Sequence, residues 1–523
     1  MTFRSILMVF FLSVFSAFAN TEKKPISIWV MSNGANSNEA MRFLLEKFQQ
    51  ETQIPTSLKI LAWDNAFDTL LVALKAGQGP DVFQLGTTWV PYFAKNKLLK
   101  SLNSNLSQVD SSRFISESWK SSTIEEDSIH YSLPWFLDIR ILYGNKSILD
   151  SFGIQENQLK TFKGFYRVLN QIAERNRNDS INAPIAPFGL PAKNDWAAYQ
   201  LLASWIWGEG GKFLEKTDSG WRSALLDSNS INGMLKYALL LQDSALVPYA
   251  SLVNSTQNTE RFINGEQVFL MGSPEIIRKM DISIEKGGIR EKKIGRDGLN
   301  VFPIPAGTVG QFAFEGGSQL ALSATAAKNA RKLLMFMVRV DNVDYYTHRT
   351  GFLPVDKSAL HIWSRDKRYA RIIQNLKYAR NFANISEFGA IEKILSNLCN
   401  NLDAIDSTGN KLKEPQLFLS FLILNSDKKI NRILGAPATN ISYKKLEKYI
   451  KHKIKIYGKQ KVLLNKTSTK KSLFTDTYFA DHPKARRWTQ IIVGSFILLF
   501  VAFVVFLGKY LHLLENKNRS SKK

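Results

Sequence analysis

Gly77-Gln78-Gly79-Pro80-Asp81-Val82-Phe83-Gln84-Leu85-Gly86-Thr87-Thr88-Trp89 decides how the rest of the chain is read. Gly77, Gly79 and Pro80 are turn residues, and Val82 to Leu85 is an apolar run of strand length. A polar and aromatic loop, Gly86 to Trp89, follows the carboxyl end of that strand. In open α/β sheets ligands gather outside the carboxyl ends of strands. Two readings of the loop stand side by side. Either Thr87, Thr88 and Trp89 face a ligand, or Trp89 packs inside an ordinary strand-to-helix connection.

The residues before this stretch set it in a series. A β-rich run at 26–31 ends in the turn Ser32-Asn33-Gly34. Helical periodicity follows at 38–52, with Met41, Leu44, Leu45 and Phe48 on one face. A second strand at 57–61 leads through Ala62-Trp63-Asp64 into a helix at 66–76, and a further helix covers 90–97. The order β-α-β-α-β-α predicts a parallel sheet with helices on its faces. Further on, a strand at 129–133 runs into Pro134-Trp135-Phe136-Leu137-Asp138. Helices are expected at 159–175, 196–207, 230–243 and 326–340, and helical patterns dominate 368–434.

A length of 523 residues with 45% hydrophobic content suits two to three folded domains. The single cysteine, Cys399, excludes an intramolecular disulfide and cannot hold a metal cluster alone. No cofactor is expected. A net charge of +24 fits nucleic acid, anionic lipid or plain solubility, and its location decides among them. Eleven lysines from Lys444 to Lys471 face one acid, Glu447. Leu446, Tyr449, Ile450, Ile454 and Tyr457 form a stripe if this segment is helical. It is read either as a surface for anionic headgroups or as a solvated linker.

Both ends carry apolar segments. Arg4, the apolar run 6–15 and Ala17-Phe18-Ala19 before Asn20 make a secretory signal peptide over 1–19. The run 488–508 has no charged residue and is long enough for a transmembrane helix, with Trp488 and Tyr510 at its two ends. The body is then exported and the tail 509–523 stays in the cytoplasm. Export argues against a nucleic-acid partner.

Taken together, the segments resemble the extracellular solute-binding proteins of ABC importers, the group that includes maltose-binding protein. The resemblance runs over roughly 25–434. It rests on the order of the 26–31 strand, the Trp63 segment, the Gly77–Trp89 signature, Tyr131-Ser132-Leu133-Pro134-Trp135 with Asp138, Phe262-Ile263-Asn264-Gly265-Glu266, Gly316-Gly317 and Gly351-Phe352-Leu353-Pro354. It implies an α/β fold, a two-lobed periplasmic-binding-protein architecture with a hinge and an interlobe cleft. To this the 488–508 run adds one C-terminal transmembrane helix. Lobe one is expected at 25–132 and 306–349, and lobe two at 133–305 and 350–434. A basic juxtamembrane extension follows at 435–487.

The resemblance also implies the cleft residues. They are Ser32, Asn33, Trp63, Asp64, Thr87, Thr88, Trp89, Trp135, Asp138, Trp207, Ser273, Glu275, Gly316 and Gly317. Their chemistry suits a sugar or polyol: aromatic faces stack on ring C–H groups, and carboxylates accept from hydroxyls. Position 275 is Glu where maltose-binding relatives commonly carry a stacking aromatic. The implied partners are a small-molecule solute and ABC permease subunits, on the periplasmic side of the inner membrane. A ligand-sensing receptor or adaptor on the same fold is the competing reading. A surface hydrolase is a third, although no His-Glu-x-x-His, Gly-x-Ser-x-Gly or phosphate-loop motif is present.

Overall fold

The computed structural model describes residues 24–34, 36–103, 109–125, 127–178, 185–191, 195, 198–250, 252–286, 288–289, 294–404 and 411–468. The expected signal peptide, the 488–508 run and the 509–523 tail lie outside these residues. Among the described residues no helix is long and apolar enough to cross a membrane. The chain divides into a compact unit, Met1–Ile456, and a second, Tyr457–Lys523. Everything below concerns the first.

The chain builds one sheet, leaves it, builds a second and returns. Strands β1 (Ile26–Met31), β2 (Thr56–Leu61) and β3 (Val82–Gly86) come first, separated by the helices Ser37–Thr52 and Trp63–Lys75. As the βα order predicts, β1 pairs parallel with both β2 and β3. β2 lies at the sheet edge and alternates half-buried and exposed residues, the pattern of a strand with one wet face. β3 is buried throughout because it lies between β1 and a later strand.

β4 (Ser132–Ile139) also belongs to this sheet. At Arg140 the chain changes sheets. β5 (Ile141–Asn145), β6 (Ala186–Gly189), β9 (Gln267–Gly272) and β10 (Leu299–Phe302) form a four-stranded sheet in the order β10-β5-β9-β6. A separate hairpin joins β7 (Leu214–Thr217) and β8 (Gly220–Ser223). The return brings β11 (Ala313–Leu322), β12 (Leu353–Pro354) and β13 (Ala379–Arg380) back to the first sheet, which runs β12-β4-β11-β3-β1-β2 with β13 on β11. This sheet is therefore mixed. β11 is antiparallel to both β3 and β4, because the departing and returning strands cross in opposite senses.

Two expected lobe boundaries meet strands of the first sheet. The division at 132/133 falls inside β4, which is laddered to β11 from Ser132 to Ile139. The division at 349/350 precedes β12, which pairs with β4 in the first sheet. The crossing itself is the Arg140 peptide, whose N–H donates to Phe314 O at 2.9 Å. The helix expected at 326–340 is shorter, Ala330–Met337, and a second, Val340–Thr350, follows it because Arg339 is extended between them.

The opening stretch is held by its acid. The Asp81 carboxylate accepts from Ser27 N and Oγ at 2.9 and 2.8 Å, and from Ala327 N at 2.8 Å. One side chain thus fixes the start of β1, the entry to β3 and the loop after β11. Three residues later the buried Gln84 accepts from Met31 N (2.9 Å) and Asn33 Nδ2 (2.9 Å) and donates to Ser318 Oγ (2.6 Å). These bonds lock β3 between β1 and β11 in the core, where an unpaired amide would be costly.

Candidate functional site

A cavity of about 680 Å³ lies between the two sheets. Twelve of the fourteen expected residues line it: Ser32, Asn33, Trp63, Asp64, Thr87, Thr88, Trp89, Asp138, Ser273, Glu275, Gly316 and Gly317. Trp135 and Trp207 do not. Successive side chains of a strand point to opposite faces. Phe136 and Asp138 of β4 face the cavity, so Trp135 points into the core and stacks on Tyr346 at 4.3 Å, fully buried. Trp207 lies at the far end of the Ala198–Gly208 helix, where Phe213, Phe382 and the Arg380 guanidinium cover it. The start of that helix supplies Tyr199 and Gln200 to the cavity instead.

The twelve are not equally open to a solute. Ser32 is exposed, whereas the Asn33 amide is committed to Gln84 and to the Tyr346 hydroxyl at 2.9 Å. Trp63 is half-buried and makes an edge contact with Trp89 at 5.5 Å. Trp89 is only 8% exposed and packs also on Phe67 at 5.4 Å. The Trp89 ring therefore belongs to the core while its edge lines the cavity. Gly317 has φ +138, and a Cβ there would stand 2.3 Å from Phe136 O. Its missing side chain makes room for β4.

Charge in the cavity is arranged in pairs. The Arg140 guanidinium meets Asp138 Oδ2 at 3.1 Å and donates to Gln200 Oε1 at 2.7 Å. Glu275 opens the helix Glu275–Asp281 and pairs with Lys279 at 2.9 Å, one turn on. Burial pushes the Asp138 carboxyl up; Arg140 opposes that shift and Glu275 adds to it. Glu275 also reaches lobe one, where a Cβ on Gly34 would come within 2.8 Å of its Oε2. Among the described residues no cluster of three His, Cys, Asp or Glu side chains is placed to hold a metal ion.

One wall escaped the sequence reading. The helix Phe388–Cys399 presents Gly389, Glu392, Lys393, Ser396 and Asn397 to the cavity, while Ile391, Leu395 and Leu398 are buried. That spacing of i, i+3, i+4, i+7 and i+8 is one face of a helix, and it was legible as a polar stripe opposite an apolar one. Glu392 is its centre. The carboxylate accepts from Thr88 Oγ1 at 2.7 Å, from Trp89 Nε1 at 2.9 Å and from the Tyr199 hydroxyl. The helix packs on Ala198–Gly208 and Pro415–Leu434, so Glu392 joins the second lobe to the signature loop of the first. Lys393 with Asp68 at 3.2 Å and Lys95 with Glu387 at 2.9 Å reinforce the same seam.

Comparison with known proteins agrees with this architecture. The family model of the bacterial extracellular solute-binding protein matches residues 34–343. The diacetylchitobiose binding protein DasA of Streptomyces coelicolor is 28% identical over 305 residues, which is 58% of this chain and just under two thirds (66%) of that protein. Among solved structures, a Thermotoga lettingae ABC transporter solute-binding protein bound with α-D-tagatose aligns at TM-score 0.65 and 20% identity, over 79% of this chain and 100% of that one. Maltose-bound T. maritima MalE3 aligns at TM-score 0.66 and 18% identity, over 78% and 100%. These likenesses show the two-lobed fold. With a family model spanning more than half of its length, the chain belongs to the bacterial extracellular solute-binding proteins.

Proposed function

We propose that this protein is the solute-binding component of an ABC importer and that its interlobe cleft closes over a sugar or related polyol. The observation that carries this reading is the composition of the cavity. Half-buried aromatic rings, Trp63 and Phe67 from one lobe, lie beside a ring of carboxylates, hydroxyls and amides from both. Apolar ring faces suit the C–H faces of a sugar, and the polar groups between them suit its hydroxyls. A volume of about 680 Å³ is within the usual range for small-molecule sites. The relatives named above support the same class: DasA is a diacetylchitobiose binder, and the two structures hold tagatose and maltose.

In this reading the fourteen-residue set keeps twelve cleft members and gains Phe67, Arg140, Tyr199, Gln200, Glu392 and Ser396. The protein binds rather than turns over its ligand. The signal peptide delivers the body to the periplasm, and the 488–508 run tethers it beside the permease, raising its effective concentration there. A thermal-shift screen of residues 20–456 tests the proposal, ending at 456 because the folded unit extends that far. Diacetylchitobiose, maltose and tagatose are the first ligands to try. A ligand at 100 times its Kd stabilises by about 2.7 kcal/mol. A panel of sugars and polyols that leaves the midpoint unmoved overturns the carbohydrate reading, and release of hydrolysed product overturns the non-enzymatic one.

A further inference from the structure

We propose that the outer face of residues 443–456, the first part of the helix Tyr443–Ser468, is a docking surface for an anionic lipid bilayer. The inner face of this helix is already occupied. Leu446 and Ile450 are fully buried, the Tyr443 hydroxyl donates to Leu417 O at 2.9 Å, and the Tyr449 hydroxyl donates to Asn232 Oδ1 at 3.3 Å. The start of the basic segment is therefore part of the folded body. It is neither a loose linker nor a helix with an apolar face free to enter lipid.

Lys444, Lys448, Lys451 and Lys455 are all exposed. Their spacing of i, i+4, i+7 and i+11 returns to one side at 3.6 residues per turn, opposite Leu446 and Ile450. Lys445 and His452 are exposed on its flank. One acid, the half-buried Glu447, borders the stripe on its other flank. None of the four ammonium groups has an ion-pair partner among the described residues. The docked face fixes this row, so that it presents four like charges together rather than dispersing them on a moving chain.

The choice of partner rests on the tethered reading given above. From Ser468, 19 residues lead to the uncharged run 488–508. At about 3.3 Å per residue they reach the bilayer surface with length to spare. That reach lets the basic stripe meet the headgroups, and attraction to anionic ones acts within about a Debye length, roughly 8 Å at physiological salt. Because the apolar face is buried in protein, the contact is electrostatic and does not insert. It is therefore reversible by salt, unlike that of an amphipathic helix lying in the interface.

The test uses the full chain in nanodiscs of phosphatidylcholine, with or without phosphatidylglycerol. A donor dye is placed on Asn440→Cys, an exposed site beside the helix, and acceptor dyes on the lipid headgroups. Energy transfer is expected to rise at least twofold when phosphatidylglycerol is present, and to fall back in high salt or in the variant Lys444→Glu/Lys448→Glu/Lys451→Glu/Lys455→Glu. Equal transfer in both lipids, or a rise that survives charge reversal, overturns the proposal. Loss of duplex DNA retention in the same variant, with no lipid effect, overturns it in favour of a nucleic-acid face. Alkaline carbonate extraction of the same preparations reports insertion separately, so a failed tether is distinguished from a failed surface.

Discussion

Glu392 and Trp89 meet across the cleft at 2.9 Å, the indole N–H donating to the carboxylate. The same carboxylate takes the Thr88 and Tyr199 hydroxyls. Burial pushes its pKa up, and the three donors oppose that shift. A hydrogen bond to a charged group contributes about 1.5–3 kcal/mol. Glu392→Ala is therefore expected to move the unliganded protein toward the open form by about tenfold or more. Energy transfer between dyes on the two lobes measures this. Unchanged transfer would show that the seam is held elsewhere.

Trp89 separates packing from recognition. With 8% exposure and edge contacts to Trp63 and Phe67, truncation to Ala should cost about 3 kcal/mol of stability. A small effect on the fold, the outcome expected of a ligand-facing loop residue, is thus replaced by a large one. Trp89→Phe keeps most of the ring but loses the N–H. It should unfold within about 1.5 kcal/mol of the parent while giving part of the lobe opening of Glu392→Ala, since the Thr88 bond to Glu392 remains. Chemical denaturation and lobe-to-lobe transfer, measured side by side, check both halves.

Glu315 should make stability depend on pH. It is 1% exposed on β11, and among the described residues its carboxylate takes one hydrogen bond, from Ser118 Oγ at 2.9 Å. Burial lifts its carboxyl from 4.5 to about 7, Ser118 opposing and Glu117 adding. A raised acid favours the protonated fold. Its contribution is full below about pH 4.5 and is lost as pH rises through about 7. Urea midpoints should fall between about pH 5 and pH 8, with Glu315→Gln more stable than the parent at the higher pH by on the order of 2 kcal/mol. Parallel pH profiles for the two proteins would contradict this.

Gly317→Ala tests the crossing. The φ of +138 and the 2.3 Å approach to Phe136 O leave no room for a methyl group. The substitution should cost at least about 2 kcal/mol and shift the β4–β11 register, seen as faster amide exchange at Phe136 and Leu137. A variant as stable as the parent, with unaltered exchange, would show that the strands part easily there.

Sequence alone was informative wherever the signal was local. Turn residues before Val82 and the 3.6-residue repeat after Asn38 placed β3 and its neighbours, and family order placed most of one cleft wall. Glu392 was missed because its meaning comes from a partner 303 residues away. Trp135 falls outside the cavity because a strand's period of two hides which parity faces the cleft until its register is known. Trp207 also falls outside it, because an aromatic-rich helix looks the same in sequence whether its rings cover a sugar or one another. The change of sheet at Arg140 was not legible for a similar reason: hydrophobicity does not report which sheet an apolar strand joins.

The contacts of Tyr443 and Tyr449 also have a mechanical consequence. Leu417 and Asn232, the groups they bond, both lie in elements packed with the second lobe. A pull on the C-terminal chain thus loads that lobe first. In the tethered reading proposed above, the second lobe is therefore the stator and the first the swinging arm, whatever length of leash holds the stator in place.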